Sequence, residues 1–355
     1  MKNRNKIPCV VFGASGYAGV ELAKMIVGHP TFELEALFVS EQSNDANKLL
    51  SDLYPKYKGL LDFLLVPGGK TNLEALNSTL SCVDKGLVFL ATPHEFSHDI
   101  ALSLTSHNIT VLDLSGGFRL QDKSLYPEHY GFSHKYSEKL ATIPYGLPEW
   151  NADKLANSPL IALPGCYPTA SQLAIKPLVK AELLTEHSTP VINAVSGVSG
   201  AGRKAALSTS FCELSLKPYN LFAHRHAPEI CQEVGRKVIF TPHVANFDRG
   251  ILATIVMQVE QGTTIEQVDA AFNEVYNDKP LIRIRQQPPQ INDVAYTPYC
   301  DLYWQLNGQD LIVISAIDNV LKGASSQAIQ CANIVCQFPE TLGLVVQPSQ
   351  NDEDE

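Results

Sequence analysis

Apolar residues along this chain fall into short blocks set off by glycine, proline and polar turns. Ile7 to Phe12 is such a block, followed by an amphipathic stretch from Val20 to Val27 and a second block from Phe32 to Val39. Blocks recur at Gly86 to Thr92, Thr110 to Leu114 and Leu160 to Leu163, with a helical pattern opening at His94-Glu-Phe-Ser-His98. Strands alternating with helices of this length predict a parallel, doubly wound sheet. Past Cys166 the rhythm changes. Pro190 to Val195, Val238 to Thr241, Gly250 to Val259, Leu281 to Ile284, Leu302 to Leu306 and Leu311 to Ile317 all read as strands with fewer helices between them. That pattern predicts an antiparallel or mixed sheet. A last periodic helix, Ala324 to Cys336, should return to the first unit. The expectation is an α/β protein: residues 1–164 joined by 322–355, and a second domain of residues 165–321.

Composition narrows the classes. A chain of 355 residues has room for two cores. Its net charge of -10 argues against nucleic acid or an anionic membrane as partner. Part of that charge sits in Asn351-Asp-Glu-Asp-Glu355, read as a solvated tail. The basic start Met1-Lys-Asn-Arg-Asn-Lys6 lacks the apolar region of an export signal, and no apolar stretch is long enough to span a bilayer. The eight cysteines are scattered without a CxxC pair, which suits free thiols in a reducing cytoplasm. No structural metal site is expected.

The first block ends in Gly13-Ala-Ser-Gly16-Tyr-Ala-Gly19. Glycines between a strand and a helix let the backbone approach a pyrophosphate, which the helix N-terminus stabilises. The spacing is G-x-x-G-x-x-G, so the flanking strand and helix carry much of the signal. This assigns Gly13, Ser15, Gly16, Tyr17 and Gly19 to a dinucleotide. The second block ends at Ser40, whose hydroxyl could donate to a 2′-phosphate, although the adjacent Glu41 would repel one. NADP is thereby favoured over NAD. Thr92-Pro93 and Ser115 to Arg119 follow strand ends where a ligand should sit. Arg119 reads equally as an anion holder or a surface ion pair. Asn319 and Gly323, just before the last helix, should lie near the cofactor.

The chain is organised around Pro164-Gly-Cys166-Tyr-Pro-Thr-Ala170, a strand-to-helix corner. Pro168 suits the first turn of the helix, and Pro177 should interrupt it. A thiol at a helix N-terminus loses its proton more easily and becomes a nucleophile. Ser196-Gly-Val-Ser-Gly-Ala-Gly-Arg203-Lys204 combines flexible backbone, hydroxyls and two positive charges, as an anion site or a solvated loop would. His224-Arg-His226 packs two titratable rings before a helix start, which favours acid/base or substrate-binding work.

In their order these four motifs resemble the N-acetyl-gamma-glutamyl-phosphate reductase family of arginine biosynthesis, over essentially the whole chain. The resemblance implies a Rossmann NADP-binding domain, an α+β catalytic domain of the glyceraldehyde-3-phosphate dehydrogenase type, and a homo-oligomer, dimer or tetramer. It implies that Cys166 attacks N-acetyl-L-glutamyl 5-phosphate, that phosphate leaves, and that NADPH reduces the thioester to the semialdehyde. His224 is the expected acid/base, with His226 binding substrate, although spacing alone cannot separate them. Ser196, Arg119, Arg203 and Lys204 are the expected substrate holders. Another semialdehyde dehydrogenase, a Cys/His hydrolase and a nucleotide-sensing regulator are the competing classes.

Overall fold

A computed structural model describes residues 6–69, 76 and 83–345; the acidic tail, the first five residues and Cys82 lie outside them. Six strands form a wholly parallel sheet in the order β3-β2-β1-β4-β5-β6: β1 Ile7–Phe12, β2 Phe32–Val39, β3 Leu65–Pro67, β4 Gly86–Leu90, β5 Ile109–Asp113 and β6 Leu160–Ala162. That order reverses between β1 and β4, the crevice where doubly wound folds bind ligands. The strands read as unbroken apolar runs because both faces are covered: β4 and β5 are buried at every residue. The C-terminal helix, Ser326–Val335, buries Ala328, Ile329, Cys331 and Ala332 in the core of this first sheet, so the chain does return as expected.

The second sheet has seven strands in the order β11-β12-β13-β10-β7-β9-β8. Its strands are β7 Val191–Gly197, β8 Lys217–Pro218, β9 Ile239–Ala245, β10 Ile251–Gln258, β11 Ile282–Ile284, β12 Cys300–Asn307 and β13 Asp310–Ile317. β7 pairs parallel with β9 and antiparallel with β10, so the sheet is mixed, as the change of rhythm predicts. Helices Cys166–Lys180, His226–Val234 and Ile265–Tyr276 contribute buried residues to the core on one face. The sequence reading omitted the third of these, although Thr264 and Gln267 form a capping box ahead of buried Val268, Ala271 and Phe272. The other face stays open. There Ile312, Val256, Val191 and Ile239 stand side by side on four neighbouring strands, three of them more than a third exposed.

Pro177 does not end its helix, which runs on to Lys180. A proline leaves the carbonyl four residues back without its N–H donor. Here the Tyr276 hydroxyl donates to Leu173 O at 2.8 Å and takes that place. A second departure is at Leu321–Ser325, where Gly323 N–H reaches back to Asp318 O and Ser325 N–H to Val320 O, making a turn of π-helix before the last helix.

Candidate active site

The cysteine corner is built from below. β6 ends at Ala162, and Cys166 is the first residue of the next helix, with Gly165 at the N-cap. Glu229, fully buried, accepts the Gly165 N–H at 2.8 Å and the Tyr145 hydroxyl at 2.7 Å through one oxygen. Its other oxygen lies 3.5 Å from Arg119. Arg119 in turn donates to Leu163 O and Leu114 O, both at 2.6 Å. Tyr145, Glu229 and Arg119 thus fix the backbone on both sides of the corner. Arg119 is 5% exposed, and Glu229 holds its guanidinium charged against the cost of burial. It is not a surface ion pair: it lines the Cys166 cleft, with Nε and Nη2 turned to Leu163 and Leu114 and Nη1 beside Glu229.

Two glycines admit the neighbours of Cys166. A Cβ on Gly323 would stand 2.7 Å from the Cys166 Cβ, so the π-turn packs directly against the nucleophile. A Cβ on Gly165 would meet the His226 Nε2 at 2.5 Å, which sets that ring over the corner. Gly323, expected near the cofactor, therefore has a steric task at the thiol. Burial raises the Cys166 thiol above its ordinary value; the helix N-terminus, Arg119 and Arg225 pull the other way. The balance runs against the expected ease of deprotonation, because one backbone donor and the two guanidinium groups do not offset the lost water.

The two histidines differ in their surroundings. His226 lines the Cys166 cleft, a hollow of about 260 Å³, and its buried Nδ1 has no hydrogen-bond partner among the described residues. His224 does not line it. Its Nδ1 accepts the His226 N–H at 3.1 Å, and its ring sits among Tyr167, Tyr219 and Phe240 at 5.4–5.7 Å. Burial lowers both rings below the usual histidine value, His224 to about 4, with neighbouring positive groups adding to the effect.

The same cleft is lined by Gly16, Tyr17 and Gly19 at the start of the first helix, by Ser199, Gly200 and Asn319 across from them, and by His94 and Arg225. Asn319 joins the two walls of the second domain: its Oδ1 accepts Gly250 N–H at 2.7 Å and its amide donates to Ser199 at 2.9 Å. Ser196 is buried below them and donates to Gly197 O at 3.0 Å. Arg203 and Lys204 do not line this cleft. They border an adjoining hollow of about 300 Å³, where Arg203 pairs with Asp45 at 2.6 Å. Tyr145 was missing from the sequence reading, and His94, Arg225 and Glu229 were given no individual role there. His94 had a legible signal, its place at a strand end opening a helix; the others depend on contacts distant in sequence.

The glycine motif has the form a dinucleotide needs. Gly13 has φ +77°, and a Cβ there would stand 2.1 Å from Ala91 O; at Gly19 one would meet Gly13 O at 2.3 Å. Among the described residues no side chain caps the helix Tyr17–Gly28, so its first N–H groups are open to an anion. Ser15 O accepts the Tyr54 hydroxyl at 2.9 Å. Ser40 is exposed at the end of β2, and a Cβ on Gly69 would lie 2.8 Å from the Glu41 carboxylate, which places that carboxylate over Gly69. Thr92 bonds Ser97 at 2.6 Å, and Pro93 caps the helix His94–Leu104. These residues fit a pyrophosphate laid across the ends of β1 and β4.

Comparison with known proteins now decides the family. Residues 9–158 match the semialdehyde dehydrogenase NAD-binding domain, and residues 166–319 match the semialdehyde dehydrogenase dimerisation domain. N-acetyl-gamma-glutamyl-phosphate reductase of Tolumonas auensis is 52% identical, with 95% of this chain and 99% of that protein covered. The enzymes of that name from Aeromonas salmonicida and Salmonella typhi are 51% and 50% identical over the same shares. The chain belongs to the N-acetyl-gamma-glutamyl-phosphate reductase family. In fold it is similar to aspartate semialdehyde dehydrogenase II of Vibrio cholerae, with TM-score 0.69, 16% identity, and 94% of this chain and 98% of that one covered. It is likewise similar to the aspartate semialdehyde dehydrogenase of Candida albicans, with TM-score 0.66, 16% identity, and 93% and 98% covered. The family is one of oxidoreductases, and the matched dimerisation domain carries the open apolar stripe of the second sheet. Among the described residues no helix is long and apolar enough to cross a membrane, and no three His, Cys, Asp or Glu gather as metal ligands.

Proposed function

We propose that this chain reduces N-acetyl-L-glutamyl 5-phosphate to N-acetyl-L-glutamate 5-semialdehyde with NADPH, releasing phosphate, as a step towards arginine. The observation that carries the reading is Cys166 at a helix N-terminus, in a cleft shared with His226 and the glycine motif. Cys166 Sγ attacks the acyl carbon while His226 accepts the thiol proton. The C–O bond to phosphate then breaks as His226 passes that proton to the departing oxygen, leaving a thioester on Cys166 and releasing hydrogen phosphate. NADPH, held by Gly13, Gly16 and Gly19, supplies the hydride when bound, and a thioester accepts it more readily than a carboxylate would. His226, recharged with a proton from water, protonates the thiohemiacetal oxygen, then withdraws that proton and returns it to Sγ as the C–S bond opens.

This reading exchanges the histidine roles expected from sequence: His226 does the acid/base work, and His224 aligns it through the N–H···Nδ1 bond. His226→Asn should lower kcat by roughly 10² to 10⁴ with KM little changed. His224→Asn should cost less. The reverse ordering would restore the original assignment. Arg119 and Arg225 supply positive charge beside Cys166, and Ser40 is the proposed donor to the 2′-phosphate. Residues 1–164 with 322–355 form the cofactor domain in this account, and residues 165–321 the catalytic one. The Ile312–Val256–Val191–Ile239 stripe is the proposed contact between subunits of a cytoplasmic dimer or tetramer. The activity itself is tested by phosphate-dependent reduction of NADP⁺ with N-acetylglutamate semialdehyde, run beside aspartate semialdehyde. Turnover with the first alone supports the assignment; preference for the second, or oxidation without phosphate, refutes it.

A further inference from the structure

His94 opens the helix His94–Leu104 at the carboxyl end of β4 and lines the Cys166 cleft. Its Nδ1 accepts the Gly116 N–H at 2.7 Å. A backbone N–H can donate only to an unprotonated ring nitrogen, so the ring proton sits on Nε2. The ring is fixed from the other side by the edge of Tyr130, with centroids 5.0 Å apart. Burial, with Arg225 and Arg119 adding to it, holds its pKa at about 3. The ring is therefore neutral at physiological pH, with Nε2–H a donor that no described residue engages. Arg225 is exposed on the same cleft, and no hydrogen bond or ion pair among the described residues takes its guanidinium. A neutral donor of fixed tautomer is a poor acid and a poor base, but it can hold an anionic oxygen by a hydrogen bond.

Two anionic groups enter this site with an acyl phosphate that also carries an α-carboxylate. The phosphate is bonded to the carbon that Cys166 attacks, so it must lie beside Sγ; the carboxylate is at the far end of the substrate. We propose that His94 Nε2–H and the Arg225 guanidinium together seat the phosphate, both as the leaving group and as the inorganic phosphate that attacks the thioester in reverse. This rests on the acyl-phosphate reading above. The seat stabilises the departing dianion without giving it a proton, which leaves the acid/base work to His226.

The test uses the full-length enzyme in the oxidative direction, varying inorganic phosphate, semialdehyde and NADP⁺ separately. A hydrogen bond to a charged group contributes enough that His94→Leu should raise the KM for phosphate roughly 10- to 100-fold. The KM for NADP⁺ and for semialdehyde should stay near wild type. His94→Gln, which can accept from Gly116 and donate to phosphate, should recover most of the loss. Arg225→Met, at an exposed residue that folding does not need, should raise the phosphate KM as well. The pH profile should keep its shape in the His94 variants. If the phosphate KM is unchanged in both His94→Leu and Arg225→Met, or if the KM for NADP⁺ or semialdehyde rises instead, the seat is elsewhere. Wild-type oxidation that needs no phosphate would overturn the activity, a result distinguishable from failure of the seat alone.

Discussion

Glu229→Gln separates what the buried network does from what the cleft does. The amide oxygen can still accept from Gly165 N–H and the Tyr145 hydroxyl, now at 2.8 and 2.7 Å from the carboxylate oxygen. Its NH₂ would then face Arg119, donor against donor, where the carboxylate oxygen stood 3.5 Å away. Arg119 is 5% exposed and Glu229 0%, so water cannot substitute for the lost charge. Removing one partner of a buried ion pair costs about 3–5 kcal/mol, a large share of the roughly 5–15 kcal/mol that a domain has. With a urea slope of about 3 kcal/mol/M, the midpoint should fall by about 1 M or more, read from the fluorescence of Trp150 and Trp304. Adding Arg119→Met should recover most of that stability, because the stranded guanidinium is removed. A loss below about 1 kcal/mol, or a double variant no more stable than Glu229→Gln, would refute the reasoning, since both outcomes require that the pair is not a compensated buried charge.

Three further outcomes follow from the same geometry. Gly323→Ala should place a methyl 2.7 Å from the Cys166 Cβ and, as overpacking does, cost about 1–3 kcal/mol with activity falling further than cofactor affinity; wild-type kcat in this variant would mean the π-turn yields freely. His224 binds a proton less readily folded than unfolded, its value lying at about 4 against 6.5. Between those values the unfolded chain holds more protons, so stability should be present above pH 6.5 and drain away as pH falls towards 4; His224→Asn should flatten this part of a urea-midpoint titration, and an unaltered slope would contradict it. Burial raises the Cys166 thiol above 9.0, so carbamidomethylation of Cys166 in the free enzyme should be slow at neutral pH and still accelerating above pH 9, whereas a plateau near neutrality would mean a preformed thiolate.

The strands were legible because each is a short apolar run between turn residues, and both β1 and β2 begin and end where those runs do. Cys166 and the glycine motif were legible for a related reason: proline and glycine at strand-to-helix corners restrict what can be built there. What escaped depends on partners far along the chain. Nothing near Pro177 announces that Tyr276 will supply the missing donor. The commitment of Arg119 to Leu114, Leu163 and Glu229 is set by the arrival of the helix His226–Val234 beside the cysteine corner. The separation of Arg203 and Lys204 from Cys166 likewise follows from Arg203 turning to Asp45. The ordering of His224 and His226 turns on one backbone N–H bond and on which ring lies over Gly165.

The covalent role of Cys166 is tested most directly by mixing enzyme with N-acetyl-L-glutamyl 5-phosphate in the absence of NADPH and following phosphate release through the first turnover. With no hydride donor the thioester has nowhere to go but slow hydrolysis. The account predicts a burst of about one phosphate per active subunit, with the acyl group found on the peptide that contains Cys166, and neither burst nor adduct in Cys166→Ser. Phosphate release without a burst, or an equal burst from Cys166→Ser, would contradict it.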